Sequence, residues 1–295
     1  MGVDVSAAGA FLAGVGRLLD RRRFDVLFAG GDAEAVLAAV DGYRNPDGGY
    51  GWGLEPDLRS RTSQPGGALH AFEAFADLAP VTTRRAGELC DWASSVTLSD
   101  GGLPFALPLP DPAACAPFWA GADGSTSSLQ ITGVVVATAT RVAAFDADVA
   151  GHPWLARATA FCLDAIAALG DEPHAMELAF AVQLLDAVAA AQPRAGELLD
   201  AVRRHVPTDG LLHVTGGADD EFMRPLDFAP FPGGPARSLF SADVLAADLD
   251  RLAEGQADDG GWSVDFDSYS PAATLEWRGH RTVQALSLLR ANGRL

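Results

Sequence analysis

Residues able to move protons gather at two places far apart in this chain. Residues 265–280 hold Asp265, Asp267, Tyr269, Glu276, Trp277, Arg278 and His280, and residues 52–64 hold Trp52, Glu55, Asp57, Arg59 and Gln64. Glu276 and His280 are four apart, so on a helix they share one face. A carboxylic acid beside an imidazole suits general acid–base chemistry at neutral pH. An ordinary Glu, with a pKa near 4.3, is only about 0.2% protonated at pH 7. To act as a donor it needs a pocket that raises its pKa by about 3, worth about 4 kcal/mol, which desolvation among apolar walls such as Trp277 can supply. Two effects oppose this. A protonated His280 would hold the carboxylate ionised, and so would the positive end of a helix dipole, by about 1 kcal/mol. A donor role for Glu276 therefore requires a neutral His280. The same residues also suit a different task, since Glu55, Asp57, Arg59, Glu276 and Arg278 have the charges of a closing ion-pair cluster. His174 and Glu177 make a third, smaller polar group, and Trp119 lies in an aromatic loop.

The two main groups occupy equivalent positions of a repeat. Asp47-Gly48-Gly49-Tyr50 matches Asp259-Gly260-Gly261-Trp262 at an offset of 212, which pairs Leu54 with Phe266, Glu55 with Asp267 and Gln64 with Glu276. Asp100-Gly101-Gly102-Leu103 and Asp209-Gly210-Leu211-Leu212 are further copies, 53 residues after the first and 50 before the last. A period near 50 signals stacked supersecondary units. Each unit reads as an outer helix, an Asp-Gly turn, a loop and an inner helix. The glycines supply the positive φ that such a turn needs.

Apolar residues at three- and four-residue spacing predict helices at about 5–20, 32–43, 65–78, 84–96, 127–144, 153–168, 173–191, 195–205, 240–255 and 273–291. Start signals agree: Ser63 precedes Pro65, and Asp171-Glu172-Pro173 precedes His174. No period-two strands stand out, so the chain reads as one all-α domain over residues 1–295. Long loops fall near 97–126 and 206–238. Their aromatic content fits packed lids, since disordered segments are poor in aromatics. No full inner helix is visible between 206 and 240.

Gln256-Ala-Asp-Asp-Gly-Gly-Trp262 spells Q-x₃-G-x-W. It resembles the QW repeat of the terpenoid cyclase and protein prenyltransferase superfamily. The resemblance implies an (α/α) toroid of about 10–12 helices around an apolar cavity, with Gln256 and Trp262 tying a turn. It also implies a small apolar, isoprenoid-like ligand and acid-initiated, non-oxidative cyclisation. The chain departs from the family in its catalytic motifs. It has neither the D-x-D-D that supplies the acid of the cyclases nor the Asp-x-Cys of the zinc prenyltransferases. No metal or other cofactor is therefore expected, and the acid falls to Glu276, His280, Asp267, Glu55 and Asp57 at the seam between the first and last units. Trp52, Arg59, Gln64, Trp119, His174, Glu177, Tyr269, Trp277 and Arg278 would line the substrate path. A non-catalytic binder of hydrophobic ligands and a carboxylate-dependent, glycosidase-like (α/α) barrel are the alternatives.

Composition narrows the partners. All 21 basic residues are Arg, against 39 Asp and Glu, for a net charge of −18. Such a surface repels nucleic acid and anionic membranes. Arg21-Arg22-Arg23 reads as a solvated helix end. No apolar run approaches the roughly 18–20 residues needed to span a bilayer, and no basic residue precedes the apolar patch at 7–15, so a cytoplasmic protein is expected. Cys90, Cys115 and Cys162 are widely spaced and odd in number, which predicts free thiols, with Cys90 and Cys162 in the core.

Overall fold

A computed structural model describes residues 2–295. Among them lie fourteen α-helices and one two-stranded sheet. The helices are α1 (Val5–Val15), α2 (Leu18–Phe28), α3 (Ala33–Asp41), α4 (Pro65–Ala76), α5 (Arg84–Val96), α6 (Pro117–Ala120), α7 (Leu129–Ala143), α8 (Ala147–Ala150), α9 (Pro153–Ala167), α10 (Ala175–Val188), α11 (Arg194–Val202), α12 (Pro225–Phe228), α13 (Ala242–Glu254) and α14 (Pro271–Ala291). Strands β1 (Leu212–His213) and β2 (Phe222–Met223) pair antiparallel. The chain is all-α, as its periodicity predicts. No described helix is long and apolar enough to cross a membrane.

Local chemistry explains most boundaries. The side chains of Asp4, Asp32, Thr83, Ser128, Ser241 and Ser270 accept first-turn N–H bonds at their helix starts. Proline opens α4, α9 and α14, where a missing N–H costs nothing. Two stretches differ from expectation. The run predicted as one helix over 5–20 breaks at Gly16, which is extended at φ −69° and ψ 149°, and α2 follows as a separate helix. A Cβ at Gly16 would lie 2.9 Å from the Leu12 carbonyl oxygen, so the break suits glycine. Between 206 and 240 the only α-helix among the described residues is a single turn, α12, preceded by the β1–β2 hairpin.

The apolar core centres on α7, which packs against α4, α9 and α10. Phe72, Phe75, Val135, Val136, Leu184 and Leu185 are fully enclosed there, as are Cys90 and Cys162. All three cysteines are free. At the other side of the molecule α14 packs on α1, α2 and α13, which brings the two ends of the chain together.

The four Asp-Gly turns share one design. Gly48, Gly101, Gly210 and Gly260 have φ of 88°, 104°, 74° and 91°. In each turn the preceding aspartate, Asp47, Asp100, Asp209 or Asp259, accepts a bond from the backbone N–H two residues on. Three of them seat on a helix from elsewhere in the chain: Gly48 on Glu88 and Trp92 of α5, Gly101 on Arg157 and Phe161 of α9, and Gly260 on Ala7 of α1. The last turn thus rests on the first helix. Gln256 reinforces that contact, because its side-chain amide exchanges two 2.8 Å bonds with the backbone of Asp4. Trp262 is buried and donates its Nε1–H to the Leu252 carbonyl at 2.7 Å.

Candidate functional site

The loop before α4 and the helices α2, α4 and α14 converge on a buried row of charged and polar side chains. His70 and Glu73 sit three apart on α4 and face the same way. His70 Nε2 lies 2.8 Å from Glu55 Oε2, and His70 Nδ1 lies 2.8 Å from Glu73 Oε2. Glu73 Oε2 is 3.8 Å from His280 Nε2 on α14. On the far side of that ring, Arg23 Nη1 of α2 approaches His280 Nδ1 to 3.2 Å, while Arg23 Nε donates to Asp77 Oδ2 at 2.7 Å. Arg17 grips Asp20 with two bonds, at 2.8 and 3.2 Å, and donates to the Leu54 carbonyl at 2.9 Å. Glu55, His70, Arg23, Asp20 and His280 are all buried.

Donor rules set the proton positions. A guanidinium can only donate, so His280 Nδ1 accepts and Nε2 carries the proton of a neutral ring. Burial, together with the charges of His70 and Arg23, pushes the His280 pKa down to about 3. His70 is in the opposite position. Burial alone would depress its pKa, but the charges and hydrogen bonds of Glu73 and Glu55 reverse this and raise it to about 9. The ring therefore stands as an imidazolium between two carboxylates. Glu73 is opposed by burial as well, yet the imidazoles of His280 and His70 and the Arg23 guanidinium hold it well below the usual carboxylate range.

Next to this row lies Asp57. Its Oδ1 accepts from the Tyr269 N–H at 2.8 Å and its Oδ2 from Trp277 Nε1 at 2.8 Å. Asp57 and Tyr269 are 212 residues apart, the repeat offset itself, so equivalent positions of the first and last units bond directly. Burial raises the Asp57 pKa against those two bonds. The Trp277 ring packs edge-on to His70, His280 and Phe266, with centroids 5.6, 5.6 and 5.3 Å away.

The remaining predicted residues spread outward from this centre. Glu276 pairs with Arg59 at 2.6 Å, both partly exposed, so its negative charge is engaged by a guanidinium. Asp267 is exposed, and Asp265 faces Arg224 at 3.5 Å. Gln64 is buried and accepts from the Leu107 N–H at 2.8 Å, pinning the long loop after α5 to the start of α4. Trp119 is buried, stacks on Phe105 at 4.4 Å, and flanks Gly66 together with Glu55. Tyr269 is exposed apart from its backbone bond. Arg278 donates to Asp259 at 2.8 Å and lies over the Phe11 ring. Trp52 is on the rim, 51% exposed, with its Nε1 on Asn45. His174 precedes α10 without a side-chain bond to its first turn and bonds the Thr215 carbonyl at 3.1 Å, while burial raises the pKa of Glu177.

Sequence reading missed Arg17, Asp20, Arg23, His70, Glu73 and Asp77. One reading is corrected outright: Arg23 is not part of a solvated helix end but is 5% exposed and ion-paired. A signal for the others existed, since His70, Glu73 and Asp77 form a polar stripe at helical spacing within an otherwise apolar segment. His70, Glu73 and His280 also offer three ligand atoms within 4.8 Å of one another, a geometry able to hold a metal ion.

No family model and no curated protein matches the chain. Among solved structures, the chain is similar to a crystal structure of a protein from Actinoplanes, with 14% identity and a TM-score of 0.53 over 98% of this chain and 89% of that one. At that identity the likeness concerns the fold alone, and it spans essentially the whole chain.

Proposed function

We propose that the helices close into an (α/α) toroid similar to that of the terpenoid cyclases, and that the protein is an acid–base enzyme working at the seam between its first and last units. Support for the ring comes from the last Asp-Gly turn resting on α1 and from the Asp57–Tyr269 bond across the repeat offset. The observation that carries the chemistry is Asp57, a buried carboxyl whose pKa is raised by desolvation, set against Trp277 and Phe266. In this reading Asp57, rather than Glu276, is the proton donor to a small apolar, isoprenoid-like ligand. The aromatic faces favour the developing cation. The Glu55–His70–Glu73 row fixes the seam behind the acid.

The experiment has two steps. Mass spectrometry of small molecules that co-purify with the full chain identifies the ligand class. Turnover of that class is then compared in D57N and W277F, with circular dichroism confirming the fold of each. W277F removes the hydrogen bond to Asp57 but keeps the acid. Loss of turnover in D57N with retention in W277F is the expected result; full activity in D57N rejects the assignment. A second reading, carboxylate chemistry on a sugar as in glycosidase-like (α/α) barrels, is favoured by the placement of Glu55 and Glu73 on opposite nitrogens of one imidazole. Co-purifying saccharides rather than lipids would select it.

A further inference from the structure

We infer that His70 Nδ1, Glu73 Oε2 and His280 Nε2 form a binding site for a divalent transition-metal ion of the zinc class. The three atoms lie within 4.8 Å of one another, and they come from two helices that meet at the seam. Two imidazoles and one carboxylate suit Zn²⁺, Co²⁺ or Fe²⁺ and not Mg²⁺ or Ca²⁺, which prefer an all-oxygen shell. Glu55 already occupies the outer position that metal-bound histidines require. Its carboxylate accepts from His70 Nε2 at 2.8 Å, which fixes the ring and leaves Nδ1 toward the metal. The indole of Trp277, edge-on to both imidazoles, closes one side.

Two contacts oppose the ion, the first being the 2.8 Å bond between the ligand atoms His70 Nδ1 and Glu73 Oε2. In the second, Arg23 Nη1 donates to His280 Nδ1, which keeps the His280 proton on Nε2, the ligand atom. Binding therefore moves that proton to Nδ1, expels the Nδ1 proton of His70 to solvent, and turns Nη1 away. The bond from Arg23 Nε to Asp77 can hold the guanidinium while this happens. The ion would join α4 to α14 and so staple the first unit to the last. This inference rests on the ligand geometry and is independent of the identity of the acid or the substrate.

The test is a titration of the tag-free full chain, stripped with a chelator, with Co²⁺ followed by visible absorption and with Zn²⁺ followed by calorimetry. One equivalent should bind saturably, with a rise in melting temperature, and Mg²⁺ should do neither. E55Q keeps all three ligands and should weaken binding about 10–100-fold. H280A and E73Q should abolish the one-equivalent Co²⁺ spectrum. Absence of saturable Co²⁺ binding by the native chain overturns the site, as does native affinity in a folded H280A or in E55Q. Should H280A not fold, E55Q alone decides between the two outcomes.

Discussion

Helices α7 and α14 both run through the interior, yet they are held by different forces. In α7 eleven residues are buried, nearly all of them Val, Ile, Leu, Ala or Gly. Its threonines satisfy their own hydroxyls, since buried Thr132 and Thr138 and half-buried Thr140 bond carbonyls one turn back at 2.6–2.8 Å. In α14 the interior face presents Trp277, His280 and Gly279 to the charged row, and a Cβ on Gly279 would lie 2.9 Å from Asp20 Oδ2. Apolar packing is non-directional and repairs small losses by relaxation. A buried ion row has no such latitude, because deleting one member leaves another desolvated and unpaired. The side of the molecule built on α7 should therefore absorb trimming, and the seam at α14 should not.

The largest expected contrast tests that difference directly. Arg23→Met removes a buried guanidinium that is the partner of largely enclosed Asp77 and the donor to His280, and should cost about 3–5 kcal/mol, the usual penalty for breaking a buried pair. Ile131→Val on α7 should cost about 0.5–1.5 kcal/mol. Urea unfolding of the two variants measures both values. Equal losses would mean that the seam charges are hydrated and carry little weight.

Trp262→Ala comes next, at about 3 kcal/mol or more, since a buried indole is lost and the Leu252 carbonyl loses its side-chain donor. Gln256 spans the turn, donating to the Gly260 carbonyl at 2.9 Å, and its amide also exchanges two bonds with the Asp4 backbone. Gln256→Ala should therefore loosen the contact between the last turn and the start of α1. Hydrogen exchange at Asp4 and Ala7 should increase more than exchange within α13. An unchanged pattern at the N-terminus would sever the link between the chain ends.

The two histidines give the seam a pH signature that α7 lacks. The His70 pKa is about 9 in the fold and about 6.5 when unfolded, so its contribution is complete below pH 6.5 and is lost as pH rises toward 9. That loss amounts to about 3 kcal/mol. For His280, lowered to about 3, the unfolded chain binds the proton that the native state refuses, so stability falls as pH drops below 6.5. Stability of the metal-free chain should peak near pH 6.5. A folded H70Q variant should lose the alkaline slope, and a slope that persists there assigns it to another group.

The sequence revealed the apolar side of the molecule more fully than the charged one, for a physical reason. Periodicity marks a helix whenever its apolar face repeats, so the bounds predicted for α5, α9 and α14 fall within two residues of those observed. The offset of 212 paired Glu55 with Asp267 and so pointed to the seam, because repeats place equivalent residues at equivalent turns, but the bond across it joins Asp57 to Tyr269. The stripe of His70, Glu73 and Asp77 marks one face of a helix but not what faces it, and Arg23 escaped because pairing across elements leaves no periodic trace. A buried arginine and a solvated one read alike until the partner, here Asp77 at 54 residues' distance, is known. The single-turn α12 was hidden for a related cause, since four residues cannot display a helical period.

The smallest expected effect separates the two carboxylates proposed at the seam. Glu276 bonds Arg59 at 2.6 Å with 23% and 30% of the side chains exposed, where water screens the pair. Glu276→Gln should cost only about 0.2–1 kcal/mol, and less at high salt. The substitution keeps the side-chain shape, so it leaves the Asp57–Trp277 bond in place. If Asp57 is the acid, E276Q retains turnover of the ligand class found by mass spectrometry. A collapse of turnover in E276Q without loss of stability would move the acid to Glu276 and make the Arg59 pair part of the chemistry instead of the scaffold.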